Sequence, residues 1–145
     1  MLRYGRAQLF SLPLQILLAA AASDYTVQNY SKSKIKSSQK SLQIKLKQAP
    51  KIIDYIKKWQ KDVFLVGFKA ETNLSKKKLE ESARKKLRES KADLIIANDI
   101  GTKYQKNPDF NEILLVNSGK AVSSGWKRKE KLVKLIRKQL ETILN

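Results

Sequence analysis

Residues 63–99 read VFLVGFKAETNLSKKKLEESARKKLRESKADLIIAND, and this stretch decides the fold. It begins with the apolar run 63–66 and ends near the apolar run 94–97, each continuous as in a strand buried on both faces of a sheet. Asn73 or Ser75 is suited to cap a helix between the two runs. The apolar residues of that helix recur every four positions, at Leu79, Ala83 and Leu87. A strand–helix–strand order predicts a βαβ unit with parallel strands.

Segments on either side extend this pattern. Residues 14–20 fit either a buried strand or, with the basic start before them, a secretory signal peptide, and the strands and helices downstream favour the strand. Residues 42–47 alternate strictly and predict a half-exposed strand, and Pro50 is expected to open a helix. Residues 112–117 predict another strand, and an amphipathic helix is expected from about Lys127. The elements predict a three-layer, Rossmann-like α/β fold with a mainly parallel sheet.

The composition restricts the chemistry. The 145 residues carry 31 Lys and Arg against 13 Asp and Glu, a net charge of +18, with no His and no Cys. Zinc sites of the Cys/His type, haem ligation by His, disulfides and Cys–His nucleophiles are therefore excluded. The basic excess indicates an anionic partner, which is nucleic acid, an acidic membrane surface or a phosphorylated small molecule. Lys predominates over Arg and is spread along the chain, which argues against a sequence-reading nucleic-acid binder.

Three predicted strand exits carry small or polar residues directly after an apolar run. They are residues 19–24, 67–72 and 97–99. In parallel sheets ligands bind outside the carboxyl ends of the strands, and those ends share one edge. The sequence therefore predicts a ligand site where the three exits converge.

Seven short motifs appear in an order that resembles one enzyme family. They are AAAASDY at 19–25, KIK at 34–36, AP-K-I at 49–52, VGFKAET at 66–72, ARKKL at 83–87, ADLIIAND at 92–99 and F-N-E at 110–112. The family is that of phosphopantothenate–cysteine ligase (phosphopantothenoylcysteine synthetase), and the chain resembles the C-terminal portion of its DNA/pantothenate metabolism flavoprotein-type domain. Residues 1–145 are then expected to form a single ligase-type domain.

The resemblance implies a reaction of coenzyme A biosynthesis. The family activates the carboxylate of 4'-phosphopantothenate with CTP or ATP, normally with Mg²⁺, and the amine of cysteine then forms the amide. Such chemistry depends on positioning and charge neutralisation, for which Lys residues and backbone donors are suited. The resemblance further implies a cytoplasmic protein that forms a homodimer, with residues 42–47 contributing, or associates with an N-terminal ligase part or a flavin decarboxylase. It implies no specific nucleic acid and no membrane as a partner.

The resemblance also assigns site residues. Lys34 matches the lysine of KIK and is the expected catalytic residue, because it would hold phosphate oxygens while charge redistributes. Phe68 would pack on the base, and Lys86 is the first nucleotide lysine of the ARKKL helix. The family's second lysine corresponds to Ser90, with Lys91 beside it as a weaker candidate. The full nucleotide-binding set is Leu18, Ala19, Ala20, Asp24, Lys34, Pro50, Phe68, Lys86 and Lys91, and no metal ligand is assigned.

Most of these site residues also have a purely structural interpretation. The alanines suit strand packing, Asp24 a loop cap, Pro50 a helix start, Phe68 a core position and Lys34 a solvated loop. The family's Gly-Gly turn and D-x-V-R-x-I-x-N stretch are absent, and residues 1–13 match neither. The N-terminal strands of the family are therefore expected to be missing, and the chain is expected to be incomplete as a ligase. A non-catalytic remnant or interaction domain, a basic nucleic-acid-binding protein and a secreted basic protein are the alternatives.

Overall fold

The computed structural model describes residues 14–19, 23–37 and 40–144, and its α/β architecture has a central sheet with helices on both faces. Its strands are β1 (Gln15–Leu18), β2 (Tyr25–Val27), β3 (Leu46–Gln48), β4 (Phe64–Glu71), β5 (Leu94–Asp99), β6 (Phe110–Asn111), β7 (Ile113–Val116), β8 (Ala121–Ser123) and β9 (Lys127–Arg128). Its helices are α1 (Ile53–Trp59), α2 (Lys76–Ser90), α3 (Thr102–Lys106) and α4 (Lys129–Leu144).

The central sheet is mixed, with the strand order β1-β4-β5-β7-β8. The three strands β1, β4 and β5 are parallel, as predicted, whereas β7 and β8 run antiparallel to their neighbours. The prediction of a mainly parallel sheet is therefore wrong for the last two strands. Between β5 and β7 the only helix is α3, which has five residues and is too short to cross the sheet and return a strand in parallel. A tight turn joins β7 to β8 and permits only antiparallel pairing.

The core lies on both faces of β4, β5 and β7, because consecutive side chains of a strand point to opposite faces. On one face Leu65 and Ile95 pack in a cluster with residues of α1 and α2, including Ala83. On the other face Val66 packs in a second cluster with Leu132 of α4. Each aliphatic side chain buried in this way contributes about 1.5–3 kcal/mol of transfer free energy. The continuous apolar runs of β4 and β5 are explained by this burial on both sides.

Gly67 lets α1 approach β4 closely. A Cβ atom at this position would lie 2.6 Å from Cδ1 of Ile53 and 2.8 Å from Cδ1 of Ile95. Gly67 also pairs with Leu18 at the end of β1. The glycine of the VGFKAET motif therefore lets the start of α1 pack beside the carboxyl end of β1 and the middle of β4.

The start of α2 agrees with the sequence, whereas the start of α1 does not. Ser75 caps α2, and its Oγ accepts a hydrogen bond of 3.4 Å from the Lys78 N–H. Pro50 does not open a helix, because α1 begins at Ile53. The Ala49 N–H donates to the Asp24 carbonyl at 2.9 Å, which keeps the chain extended up to the proline.

The two N-terminal strand predictions are confirmed only in part. β1 is parallel to β4, but it is a half-exposed edge strand of four residues rather than a buried strand over 14–20. The predicted strand 42–47 is reduced to β3, which pairs only with β2. All residues of this two-stranded ribbon are exposed, because neither core cluster of the described residues extends beneath it. Residues 1–13 and Ala20 lie outside the described residues.

The C-terminal helix α4 begins at Lys129, two residues after the predicted start. Its apolar side packs on the second face of the sheet through Leu132, Leu135, Ile136 and Leu140. Within 14–19, 23–37 and 40–144, no helix combines the length and apolar character needed to cross a membrane.

Candidate functional site

A cavity of about 460 Å³ lies between the segment that precedes α1 and the first turns of that helix. It is named the α1 cavity below. Its lining residues are Gln48, Ala49, Pro50, Lys51, Asp54, Tyr55 and Lys58. The cavity therefore contains Pro50 of the predicted set, and two lysines of its wall are suited to anions.

Asp24 lies at the border of the α1 cavity. Its carbonyl accepts a hydrogen bond from Ala49, and its carboxylate Oδ1 is 3.8 Å from Nζ of Lys51. The Lys51 and Asp24 side chains are 45% and 70% exposed, so this ion pair is weak and both groups stay accessible. A ligand in the cavity can therefore reach both charges.

Lys86, on α2, contacts one lining residue of the same cavity. Its Nζ donates to Oδ1 of Asp54 at 2.8 Å, and its side chain is only 14% exposed. The Lys86 carbonyl accepts a hydrogen bond of 2.7 Å from Oγ of Ser90. Of the predicted residues, Pro50 lines the cavity, whereas Asp24 and Lys86 are linked to it only through ion pairs with its lining residues Lys51 and Asp54.

The residues at the ends of β1 and β4 lie on different sides of the sheet edge. Leu18 is half-buried and packs against the core cluster on the side of α1 and α2. Phe68 is 40% exposed, and the alternation of β4 places it on the α4 side with Val66. Ala19 is exposed at the end of β1. Phe68 and Lys86 therefore approach the edge from opposite faces.

None of the three predicted lysines lines the α1 cavity, and in the described part of the chain Lys34 and Lys91 lack the link that Lys86 has through Asp54. Lys34 lies exposed in an irregular segment, and the described residues give its side chain no hydrogen bond or ion pair. Lys91 ends α2 in the left-handed region, with φ of 55°, and is exposed. Ser90, at the family's second lysine position, is only 2% exposed. The structure therefore brings neither lysine to the cavity.

Sequence reasoning missed the partners that surround the predicted residues. Asp54, Tyr55 and Lys58 line the cavity, and Nζ of Lys58 lies 4.5 Å from the centre of the Tyr55 ring. Lys51 belongs to the AP-K-I motif, and Asp54 follows it by three residues at the start of α1. That spacing puts both residues on one side of a helical turn, which is the signal that could have revealed them.

A second cavity, of about 430 Å³, lies beside the start of α2 and contains none of the predicted site residues. Asp99 lines it, but its carboxylate already accepts 2.6 Å hydrogen bonds from the N–H groups of Leu74 and Gly101. Burial alone would raise the pKa of Asp99, but hydrogen bonds from Gly101, Leu74 and Asn73 lower it below its usual value. Asp99 therefore holds the loops together at this edge.

The charged side chains of the α1 cavity suit a magnesium ion only in company with phosphates. No group of three or more His, Cys, Asp or Glu able to hold a metal occurs in the described part of the chain. Mg²⁺ is usually bound through one or two carboxylates together with substrate phosphates. The exposed carboxylate of Asp24 fits that limited role.

Comparison with known proteins assigns the family. The profile of the DNA/pantothenate metabolism flavoprotein C-terminal domain matches residues 8–144. The chain is 40% identical over 129 residues to the coenzyme A biosynthesis bifunctional protein CoaBC of Thermococcus kodakarensis, covering 89% of this chain and 31% of that protein. It is 32% identical over 123 residues to CoaBC of Methanocaldococcus jannaschii, covering 85% and 30%. The chain thus spans less than a third of these relatives.

Solved structures share the fold. The crystal structure of the DNA/pantothenate metabolism flavoprotein from Streptococcus pneumoniae is similar with a TM-score of 0.74 and 27% identity, over 89% of this chain and 63% of that one. The C-terminal domain of CoaBC is similar with a TM-score of 0.65 and 25% identity, over 90% and 55%. The chain belongs to the DNA/pantothenate metabolism flavoprotein C-terminal domain family, as the order of its motifs predicts.

Proposed function

We propose that this chain is the nucleotide-binding portion of a phosphopantothenate–cysteine ligase of coenzyme A biosynthesis. The observation that supports the proposal is that Pro50 lines the α1 cavity, while Asp24 and Lys86 form ion pairs with two other lining residues, Lys51 and Asp54. Asp24, Pro50 and Lys86 belong to three separate motifs of the sequence, and packing alone does not require their association with one cavity. Residues 1–145 act as one ligase-type domain in this proposal, and its setting is the cytoplasm.

The cavity would hold the phosphates of CTP or ATP. Lys51 and Lys58 line it, Lys86 stands behind Asp54, and together they supply positive charge where a triphosphate brings negative charge. A Mg²⁺ ion would be held by Asp24 with the phosphate oxygens, and it would neutralise charge there. Phe68 would contact the nucleotide or the acyl group from the opposite face of the sheet. Leu18, Ala19 and Ala20 would let the nucleotide approach the backbone.

Lys34 is the catalytic lysine in this proposal, and Lys91 a subsidiary one. Lys34 lies exposed between β2 and β3, and the proposal requires its ammonium to contact the phosphates when nucleotide is bound. At the phosphates it would stabilise the charge that develops as the carboxylate of 4'-phosphopantothenate attacks the α-phosphate and pyrophosphate leaves. The amine of cysteine would then attack the acyl carbon of the resulting acyl-nucleotide, forming the amide, losing a proton and releasing the nucleoside monophosphate.

Ligation is proposed to need the Gly-Gly and D-x-V-R segments, which these 145 residues do not contain. The test is to mix the chain with a separate polypeptide that carries those segments and to measure amide formation from 4'-phosphopantothenate, cysteine and CTP or ATP. Activity of the mixture, but not of either part, is expected. A mixture in which both parts are folded and nucleotide is bound, but no amide forms, would favour the non-catalytic remnant.

The homodimer is proposed from the exposed β2–β3 ribbon. Tyr25 is 59% and Leu46 is 56% exposed, although both are large apolar side chains. Ordered apolar side chains that lie on no core of their own chain commonly mark an interaction site. The partner in this proposal is a second copy of the chain.

A further inference from the structure

The contact between Lys86 and Asp54 is the closest charged contact at the α1 cavity. The Lys86 Nζ donates to Asp54 Oδ1 at 2.8 Å, and the two side chains are 14% and 34% exposed. Asp54 lines the cavity, whereas Lys86, on α2, is not among its lining residues and is linked to it through Asp54. In this arrangement the positive charge of Lys86 is balanced by the carboxylate of Asp54, a residue that lines the α1 cavity.

Such a carboxylate opposes the binding of a polyphosphate. A unit negative charge a few ångströms from a phosphate group, in a partly solvated site, changes anion affinity by roughly tenfold. The same carboxylate stabilises the empty protein, because a mostly buried ammonium without a partner is costly. Asp54 therefore raises the stability of the unliganded protein and lowers its affinity for anions.

We propose that Asp54 is a built-in counter-ion for Lys86, which the phosphates of the nucleotide must displace. Asp54 holds the Lys86 ammonium beside the cavity in the unliganded protein. It therefore competes with the phosphates of the ligand for that ammonium. Asp54 is thus a positioning residue that lowers the affinity for nucleotide in return for a stable empty site. This inference rests on the proposed function.

A second ion pair provides a matched control. Lys57 Nζ lies 2.7 Å from Asp93 Oδ2, and the two side chains are 16% and 36% exposed. Like the first pair, it ties α1 to another part of the core, but neither residue lines the α1 cavity. Asp93 also accepts a 2.7 Å hydrogen bond from the Leu65 N–H, and an asparagine oxygen can keep that bond.

The experiment compares the wild-type chain with Asp54→Asn and Asp93→Asn. Tripolyphosphate, CTP and ATP are each titrated by calorimetry in EDTA, so that no Mg²⁺ screens the phosphates, and thermal unfolding is followed in parallel. Both variants are expected to unfold at a lower temperature. Asp54→Asn is expected to bind the probes roughly five- to tenfold more tightly, whereas Asp93→Asn binds them like the wild type. Asp54→Glu, which keeps the charge, is expected to show no tightening.

The outcomes separate this inference from the proposed function. Nucleotide binding by the wild type with equal or weaker binding by Asp54→Asn overturns the counter-ion role and leaves the proposed function standing. Equal tightening in Asp54→Asn and Asp93→Asn assigns the effect to net charge and also overturns it. Tripolyphosphate binding that tightens only in Asp54→Asn, with no binding of CTP or ATP, supports the counter-ion and contradicts the proposed function. If Asp54→Asn is unfolded, Asp54→Ser replaces it with the same expectations.

Discussion

Lys86 shows how much a single residue of a motif reveals about a site. Its place in ARKKL identifies it as a candidate nucleotide lysine, but its partner Asp54 lies 32 positions earlier in the chain. That pairing depends on how α1 packs against α2, which local patterns do not determine. Ser90 is buried near the end of α2, with its Oγ bonded to the Lys86 carbonyl, whereas Lys91, one residue later, ends the helix in the left-handed region.

Replacing the lysines should separate a nucleotide site from bulk charge. Lys86→Ala is expected to weaken CTP or ATP binding about tenfold or more, because a charge-assisted hydrogen bond is lost. Since Lys86 is mostly buried against Asp54, some stability should be lost as well, so folding is checked by circular dichroism. Lys34→Ala should weaken binding without that loss. Lys76→Ala, whose side chain is 65% exposed, is the control, and equal weakening there would mean that net charge alone attracts the ligand.

The acid sensitivity of the fold should depend on Asp99. Its pKa in the folded chain is below the ordinary value, because the N–H hydrogen bonds outweigh burial. A lowered folded pKa gives stability that is present above the pKa of the unfolded chain and is lost as pH falls through the folded value. Asp99→Asn should therefore be less stable than the wild type at pH 6 in urea unfolding, and this difference should shrink below about pH 4. A difference that stays constant from pH 6 to pH 3 would contradict this role.

Among the strands and helices, the sequence predicted the ones whose own apolar pattern determines their type. The two-sided apolar runs became β4 and β5, and the spaced residues of α2 became its buried side. The direction of β7 was not predictable from its own apolar run, because direction depends on the length of the connection before it. The 42–47 alternation gave a ribbon without a core, because alternation indicates one apolar face but not what covers it.

The packing of α1 on the sheet should depend on Gly67. Gly67→Ala would put a methyl group 2.6 and 2.8 Å from the Cδ1 atoms of Ile53 and Ile95, so these side-chain ends must move within a packed core, at a cost of about 1 kcal/mol. Gly119→Ala is the matched control, since its nearest neighbour is 3.8 Å away, and urea unfolding should show little change. Equal stability of both variants would exclude the close approach.

The β2–β3 ribbon should control association. Leu46→Glu puts a charge on its exposed apolar surface and is expected to shift the chain from dimer to monomer. Sedimentation measures the change, and Val133→Glu, a 65% exposed position on α4, is the control that should leave the mass unaltered. A wild-type chain that sediments as a monomer, or a Leu46→Glu chain that stays dimeric, would contradict the ribbon as the interface.

At the scale of the whole molecule, the account depends on segments distant in sequence meeting at one place. Asp24 comes from the loop after β1, Pro50 and Asp54 from the start of α1, and Lys86 from the middle of α2. The motifs named Asp24, Pro50 and Lys86, whereas the predicted exits 67–72 and 97–99 lie largely within β4 and β5 and supply no lining residue of the α1 cavity. The cavity itself was not predictable, because its walls form only when the Asp24 and Ala49 backbones pair.

Calorimetric titration of CTP and ATP, with Mg²⁺ and at physiological salt, tests the central claim most directly. The account predicts saturable binding of one nucleotide per chain, which Lys86→Ala weakens and Lys76→Ala does not. Absence of binding by the folded chain, or binding that disappears at this salt concentration and falls equally in both variants, would contradict it.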